Sequence, residues 1–151
     1  MFKLVLCTSP RLGSVLLRML LWCRWSHSAI LDEQAGWVYH ATGGKGVQRQ
    51  ALGAFLGRHP VYEMRPIEVP QAKCRAAVLW LHDQVGKRYD WTAILSFGLA
   101  RWSRWRYRSW QDDDAWFCSE LTETFRTHFE RRRFRADLAR ITPAHQDALA
   151  D

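Results

Sequence analysis

The chain has 151 residues, of which 48% are hydrophobic and 25% charged. These proportions are typical of soluble globular domains and exclude disordered and fibrous classes. The 22 Lys and Arg residues outnumber the 15 Asp and Glu residues, giving a formal net charge of +7. This charge favours an anionic partner such as nucleic acid, lipid headgroups or a cell envelope, without identifying a reaction. The length predicts a single domain covering residues 1–151.

The cysteines and the N-terminal apolar segment bear on cofactors and on the compartment. The four cysteines are widely spaced and form no C-x-x-C pair, so we expect free thiols in a reducing compartment, with no metal or other cofactor. The most apolar segment, residues 14–25, is too short to span a bilayer and is interrupted by Arg18 and Arg24. Pro10 breaks the apolar run that a signal peptide needs. We therefore expect a cytoplasmic chain, with action at the cell envelope left open.

The first third of the chain predicts a strand, a helix and a hairpin. Residues 2–7 (FKLVLC) are an apolar run typical of a buried strand, and a helix is expected from Ser14 to about Cys23. Residues 26–31 and 37–41 are β-compatible and are separated by a turn-rich stretch, which predicts an antiparallel hairpin. Each of the two strands carries a histidine near one end.

The rest of the chain predicts a loop, one more strand and two helices. We expect a flexible glycine-rich loop over residues 42–46 and a strand within residues 61–69, interrupted by Pro66. Apolar residues recur at helical spacing over residues 71–85, between a proline that can start a helix and a glycine that can end it. A second helix is expected to begin near residues 112–114, three aspartates suited to a helix N-terminus. Its predicted apolar stripe consists of Cys118, Leu121, Phe125 and Phe129.

Cys118 is the residue in this pattern that could act as a nucleophile. A thiol near a helix N-terminus is expected to have a lowered pKa, because the helix dipole and the backbone N–H groups favour thiolate. His27 and His40 lie on neighbouring predicted strands, so one could accept the thiol proton and the other could fix its tautomer. The alternative is an inert core cysteine beside histidines with ordinary structural roles.

Four segments of the sequence together resemble a known enzyme family. In chain order they are Trp25–Leu31 (WSHSAIL), Trp37–Ala41 (WVYHA), Gly86–Trp91 (GKRYDW) and Trp116–Leu121 (WFCSEL). The chain is similar, from about Phe2 to Phe129, to the circularly permuted papain-like cysteine hydrolases. These are the YaeF/YiiX-like relatives of the NlpC-type cell-wall peptidases, related also to lecithin:retinol acyltransferase. The resemblance implies an α+β permuted papain-like (NlpC-like) fold, with a small antiparallel sheet or partial barrel packed against the helix that bears the nucleophile.

The resemblance also implies roles for individual residues. Cys118 corresponds to the nucleophile, His27 to its general base and His40 to the orienting third residue. Many members carry an acid in place of His40, and a neutral imidazole stabilises an imidazolium less than a carboxylate does. Tyr89 and Ser119 are expected to bind the oxyanion or the substrate, although Tyr89 could equally be a core tyrosine.

A basic and aromatic segment lies between the two predicted helices. Residues 101–110 read RWSRWRYRSW, a composition suited to stacking on bases, to a lipid interface or to an anionic polymer. The expected docking residues are Arg101, Trp102, Arg104 and Trp105. The alternative is a surface segment whose tryptophans pack on the domain and whose arginines are solvated.

The sequence thus predicts a cysteine hydrolase that cleaves amide bonds, with a peptide or acyl substrate such as a peptidoglycan fragment. A bacterial or phage source is compatible with this activity. One alternative is a lipid-directed thioesterase or acyltransferase. Another is a non-catalytic module that binds nucleic acid or a membrane surface through the basic and aromatic segment, although no specific nucleic acid is predicted.

Overall fold

The structure of the chain, a computed structural model, describes residues 1–10, 12–91, 115–134 and 141–148. It is an α+β structure in which helices pack on a five-stranded antiparallel sheet with strand order β4-β3-β2-β1-β5. The strands are β1 Phe2–Thr8, β2 His27–Asp32, β3 Trp37–Thr42, β4 Gly46–Ala51, β5 Val61–Ile67 and the short β6 Arg88–Tyr89 and β7 Ala115–Trp116. The α-helices are α1 Leu12–Leu21, α2 Leu52–Leu56, α3 Cys74–Gln84, α4 Cys118–Phe129 and α5 Pro143–Ala148, and a 3₁₀ turn spans Gln71–Lys73.

The sheet is covered on both faces, which explains the continuous apolar run of β1. Alternate residues of a strand point to opposite faces, and the two sets of β1 side chains enter two separate clusters. Leu4 and Leu6 pack with residues of α3 and α4, whereas Val5 and Cys7 pack with Phe55 of α2. The α3 and α4 face is the larger core and contains Phe2, Ile30, Tyr39, Ala77, Leu81, Phe125 and Phe129.

The predicted hairpin is confirmed, and the sheet continues beyond it. Strands β2 and β3 pair antiparallel, and Gly36 between them has a φ of 70° that suits glycine. The glycine-rich turn then leads into β4, which pairs with β3, and β4 leads into α2. Neither β4 nor α2 was predicted from the sequence. Strand β5 lies at the sheet edge, where Pro66 is tolerated because an edge strand leaves one row of N–H groups unpaired.

The predicted helix over residues 71–85 is confirmed, as a 3₁₀ turn followed by α3. The helix ends before Gly86, whose φ of 93° is readily adopted by glycine. Gly46, on β4, has a φ of 68°, and a Cβ there would lie 2.0 Å from the carbonyl oxygen of Lys87. The same carbonyl accepts a hydrogen bond from the N–H of Val47 at 2.9 Å. This close approach holds β6, and with it Tyr89, along the side of β4.

The expected start of α4 near residues 112–114 is wrong, because the helix begins at Cys118. Residues 115 and 116 are extended, since they form β7 and pair in parallel with Arg88 and Tyr89 of β6. The carboxylate of Glu120 accepts a hydrogen bond from the Phe117 N–H, with 3.4 Å between Oε2 and N. The predicted apolar stripe is confirmed, since all four of its residues are buried. Within the described ranges, no helix combines the length and hydropathy that crossing a membrane would require.

Candidate active site

His27 and His40 form a hydrogen-bonded pair at the end of the β2–β3 hairpin. Nε2 of His27 lies 3.1 Å from Nδ1 of His40, and the rings meet edge to face. The register that pairs Ile30 with Tyr39 puts His40 opposite Ala29, two residues from His27. Diagonal neighbours of this kind share one face of the sheet and are within reach of long side chains. The proximity expected from the sequence is therefore present.

Two residues of the unpredicted α2 region hold this pair in place. The ring of Phe55 meets the ring of His40 edge to face, with centroids 5.0 Å apart. His59 stacks on Phe55 at 4.3 Å and on His27 at 5.6 Å. Sequence reasoning missed both residues. The only local signal was the apolar spacing of Leu52, Phe55 and Leu56, which is too short to indicate a helix.

Both histidines of the pair are held neutral. Burial lowers the pKa of His27 well below its usual value, and the proximity of His40 and His59 lowers it further. Burial, followed by the proximity of His59 and Arg58, lowers the pKa of His40 to about 4. Both rings are consequently uncharged near neutral pH, which is the state that a general base requires before it accepts a proton.

Cys118 is the first residue of α4 and is only 1% exposed. Burial raises the pKa of its thiol to about 11, so the lowered pKa expected from the sequence is wrong. Hydrogen bonds from Ser28 and from the backbone N–H groups of Cys118 and Ser119 lower this pKa, which is the direction that the sequence predicted. Their effect is smaller than that of desolvation, which disfavours the charged thiolate.

Cys118 and the histidine pair approach β2 from opposite sides. Ser28 points towards α4, where its hydroxyl lies 3.4 Å from that of Thr122, whereas His27 faces Phe55. Among the described residues, Sγ of Cys118 makes no hydrogen bond to a ring of His27. The thiol directly across from His27 in the β1–β2 ladder belongs to Cys7, which is fully buried and whose pKa burial raises. Ser28 thus contacts the Cys118 thiol and is the immediate neighbour, along β2, of the expected base His27.

Tyr89 connects the buried thiol to an open cleft. It packs against Phe117 and Cys118, and it lines a cleft of about 160 Å³ together with His27 and His59. Burial, with smaller effects of Cys118 and Asp90, raises the pKa of Tyr89, so its hydroxyl stays protonated and can donate. The other lining residues are Ser9, Ser14, Ser26, Ala41, Thr42 and Gly43.

The side chain of Ser119 points away from this cleft. Its hydroxyl is fully buried and donates to the carbonyl oxygen of Ile141. Only the backbone N–H of Ser119 faces the thiol, so any contact with an oxyanion would come from the backbone. Glu120, the next residue, is also buried, and its carboxylate accepts a hydrogen bond from the Phe117 N–H at the start of α4.

The expected docking residues Arg101, Trp102, Arg104 and Trp105 lie outside the described residues. Within the described part of the chain, no group of three or more His, Cys, Asp or Glu side chains is arranged to hold a metal ion. Comparison of the chain with models of known protein families, with curated proteins and with solved structures returns no match.

Proposed function

We propose that the protein is a cysteine hydrolase that cleaves amide bonds through a thioester on Cys118. The observation that carries this proposal is the neutral, hydrogen-bonded pair of His27 and His40. His27 borders a cleft whose Tyr89 wall packs on a thiol at a helix N-terminus. A hydrogen-bonded pair of imidazoles, one buried and one half-buried, has no evident structural need, because two apolar side chains would fill the same space without desolvating polar nitrogens.

We also propose that the fold is the permuted papain-like one. An antiparallel sheet that carries two histidines, followed in the chain by a helix that begins with a cysteine, agrees with that arrangement. The order His27, His40, Cys118 is the one that the resemblance of the sequence motifs implies.

The tautomers of the pair determine which nitrogen can act as the base. When Nε2 of His27 carries its proton and donates to Nδ1 of His40, Nδ1 of His27 is unprotonated. Sγ of Cys118 then attacks the substrate carbonyl carbon while its proton passes to Nδ1 of His27. The resulting imidazolium protonates the leaving amine, and water hydrolyses the thioester and regenerates the thiol. The first step requires the thiol and the imidazole, which approach β2 from opposite sides, to come within hydrogen-bonding distance of each other once substrate is bound.

The N-terminus of α4 supplies the groups that would stabilise the oxyanion. The N–H groups of Cys118 and Ser119 face the thiol, so they also face a carbonyl oxygen bonded to the carbon that Sγ attacks. The hydroxyl of Tyr89 is a third donor at the cleft wall. A proton donor there stabilises charge that develops only during the reaction.

A lipid-directed thioesterase or acyltransferase is the second candidate, and it is favoured by the surface of α1. Ser14 of α1 lines the cleft, while Leu12, Leu16 and Met19 expose 57–74% of their surface on the opposite face of the same helix. An exposed apolar stripe on a helix that borders the cleft is suited to a lipid interface.

Mass spectrometry of the intact protein after incubation with acyl substrates tests the proposal. We expect an acyl adduct on Cys118 and turnover that is lost in Cys118→Ala and His27→Ala. Cys7→Ala is the matched control, because Cys7 is an equally buried thiol opposite His27, and its turnover should persist. Cell-wall peptide fragments and fatty-acyl thioesters are compared as substrates. Preference for the fatty-acyl compounds favours the second candidate, and an adduct on Cys7 or no adduct contradicts both.

A further inference from the structure

A second and larger pocket lies beside the catalytic cleft. It encloses about 370 Å³ and shares Ser9, Thr42, Gly43 and His59 with the cleft, so one molecule can occupy both. Its remaining lining residues are His40, Lys45, Gln48, Gln50 and Arg58. Among the described residues, the lining combines two cations with amide, hydroxyl and imidazole groups and contains no carboxylate.

The two cations of this pocket have no anionic partner within the described part of the chain. Lys45 follows β3 in the glycine-rich turn, and Arg58 follows α2, so two separate loops bring the charges to one pocket. Neither residue forms an ion pair with a described carboxylate. Arg58 is close enough to lower the pKa of His40, so its positive charge acts on the imidazole that lines the pocket.

His40 contributes a buried and unsatisfied atom to the same pocket. Its side chain lines the pocket, the residue is 2% exposed, and Nε2 makes no hydrogen bond of normal geometry to a described residue. Oε1 of Gln50 is buried and likewise makes none, while the Gln50 side chain is close enough to act as an acceptor that raises the pKa of His40. An unpaired buried polar atom is costly, and such atoms at binding sites are commonly satisfied by the ligand or by water.

The catalytic tautomer turns this atom into a donor. The proposed reaction requires the proton of His27 on Nε2, donated to Nδ1 of His40. Nδ1 of His40 is then an acceptor, so the single proton of its neutral ring must be on Nε2. The imidazole that carries this N–H lines the pocket that also holds the charges of Lys45 and Arg58.

We infer that this pocket binds a carboxylate of the peptide substrate, held by Arg58 and Lys45 and by the Nε2–H of His40. The inference rests on the proposed function for its catalytic role. The bound carboxylate fixes the tautomers of both histidines and thereby leaves Nδ1 of His27 free to accept the thiol proton. It also supplies, from the substrate, the negative charge that an acidic third residue would provide behind the imidazole.

The size of the pocket and its continuity with the cleft favour a carboxylate on a larger molecule over a free inorganic anion. A volume of about 370 Å³ exceeds that of a single small ion and accommodates the end of a peptide. The carboxylate and the scissile amide can therefore belong to one molecule, because Gly43 borders both spaces. A Cβ at residue 43 would lie 2.6 Å from the ring of Trp91, so the tryptophan side chain would have to move.

Histidine-ring NMR tests the binding site directly. Protein with ¹⁵N-labelled histidine is titrated with N-acetyl-alanyl-alanine, with the amide of the same dipeptide, with N-acetyl-glutamyl-alanine amide and with inorganic phosphate. We expect a saturable shift of the His40 Nε2 resonance with the carboxylated peptides only. The free C-terminus and the glutamyl side chain distinguish the two sources of the carboxylate. Arg58→Gln and Lys45→Gln should each weaken binding on the order of tenfold, whereas Arg75→Gln, a surface cation on α3, should leave it unchanged.

Three results overturn the inference: equal shifts with the acid and the amide, unchanged binding in Arg58→Gln and Lys45→Gln, or binding of phosphate alone. Turnover assays separate this failure from that of the proposed function. Carboxylate binding without any acyl adduct on Cys118 supports the pocket and contradicts the hydrolase. Turnover of acid and amide substrates at equal kcat/KM, with no saturable shift at His40, supports the hydrolase and overturns the pocket.

Discussion

Nε2 of His27 and Nδ1 of His40 lie 3.1 Å apart, and this distance couples the protonation states of two neighbouring strands. Only one proton can occupy the space between the two nitrogens, so the tautomer of one ring determines that of the other. Neither ring can take up a proton without bringing positive charge into a buried environment that already contains His59 and Arg58. The protonation state is therefore a property of the pair and not of either histidine alone.

The lowered pKa of His40 predicts that the protein loses stability in acid. Unfolded His40 binds a proton below about 6.5, whereas folded His40 binds one only near 4, so protons favour the unfolded state between these values. The stability due to this group is complete above pH 6.5 and falls by about 3 kcal/mol as the pH decreases to 4. Urea unfolding between pH 4 and pH 8 measures the effect.

His40→Gln should make this pH profile shallower, because glutamine does not titrate, while His27, whose pKa is also lowered, keeps its own contribution. His128→Gln is the control, since His128 is exposed at the end of α4, and its profile should match that of the native protein. A native stability that is constant from pH 4 to pH 7 would contradict the lowered pKa.

Cys118 should react slowly with iodoacetamide near neutral pH. Its pKa is raised to about 11 and its side chain is 1% exposed, so the thiolate is scarce and inaccessible. Alkylation mapped by mass spectrometry should therefore modify the half-buried Cys74 before Cys118, with the rate at Cys118 increasing up to about pH 11. Ser28→Ala should move the Cys118 profile to still higher pH, because Ser28 favours the thiolate. Preferential alkylation of Cys118 at pH 7 would disprove this prediction.

Gly46→Ala should destabilise the fold and detach β6 from β4. The new Cβ would lie 2.0 Å from the Lys87 carbonyl oxygen and the backbone has a φ of 68°, so we expect a loss of about 3 kcal/mol or more in unfolding free energy. Gly36→Ala is the matched control, because it has a φ of 70° with no atom within 4 Å. It should lose only about 1 kcal/mol. Equal losses in urea unfolding would show that the contact with Lys87 does not matter.

Ser119→Ala should reduce stability without affecting the chemistry. The hydroxyl of Ser119 donates to the carbonyl oxygen of Ile141, and loss of this buried bond is worth about 1–2 kcal/mol. The backbone N–H remains, so kcat measured per folded molecule should change less than about threefold. A fall in kcat of a hundredfold at unchanged stability would instead assign the hydroxyl to the substrate.

Tyr89→Phe separates the two interpretations of this residue. The ring packs against Phe117 and Cys118, and phenylalanine keeps that contact, so unfolding free energy should change by less than about 1 kcal/mol. If the hydroxyl donates to the oxyanion, kcat should decrease on the order of tenfold or more while KM stays within about twofold. Unchanged kcat would identify Tyr89 as a packing residue only.

Local patterns were sufficient for most of the large sheet and the longer helices. The apolar run of β1, the turn between β2 and β3, and the helical spacing in α3 and α4 are each contained in a short window, so periodicity indicated them. By contrast, β4 has few apolar residues and α2 spans only five residues. Both are stabilised by pairing with β3 and by the burial of Phe55 against the sheet. Asp112–Asp114 looked like a helix start, but pairing of β7 with β6 delays the helix to Cys118.

The sequence by itself determined the chemical inventory, namely a cysteine at the start of an amphipathic helix and two histidines on adjacent strands. It also determined their proximity in the hairpin, because antiparallel register follows from the turn. Only the tertiary structure decided the state of these groups. Burial by Phe55, His59 and Tyr89 neutralises the histidines and raises the pKa of the Cys118 thiol. Desolvation and the convergence of Lys45 and Arg58 on one pocket depend on which distant residues meet, and no short window of sequence contains that information.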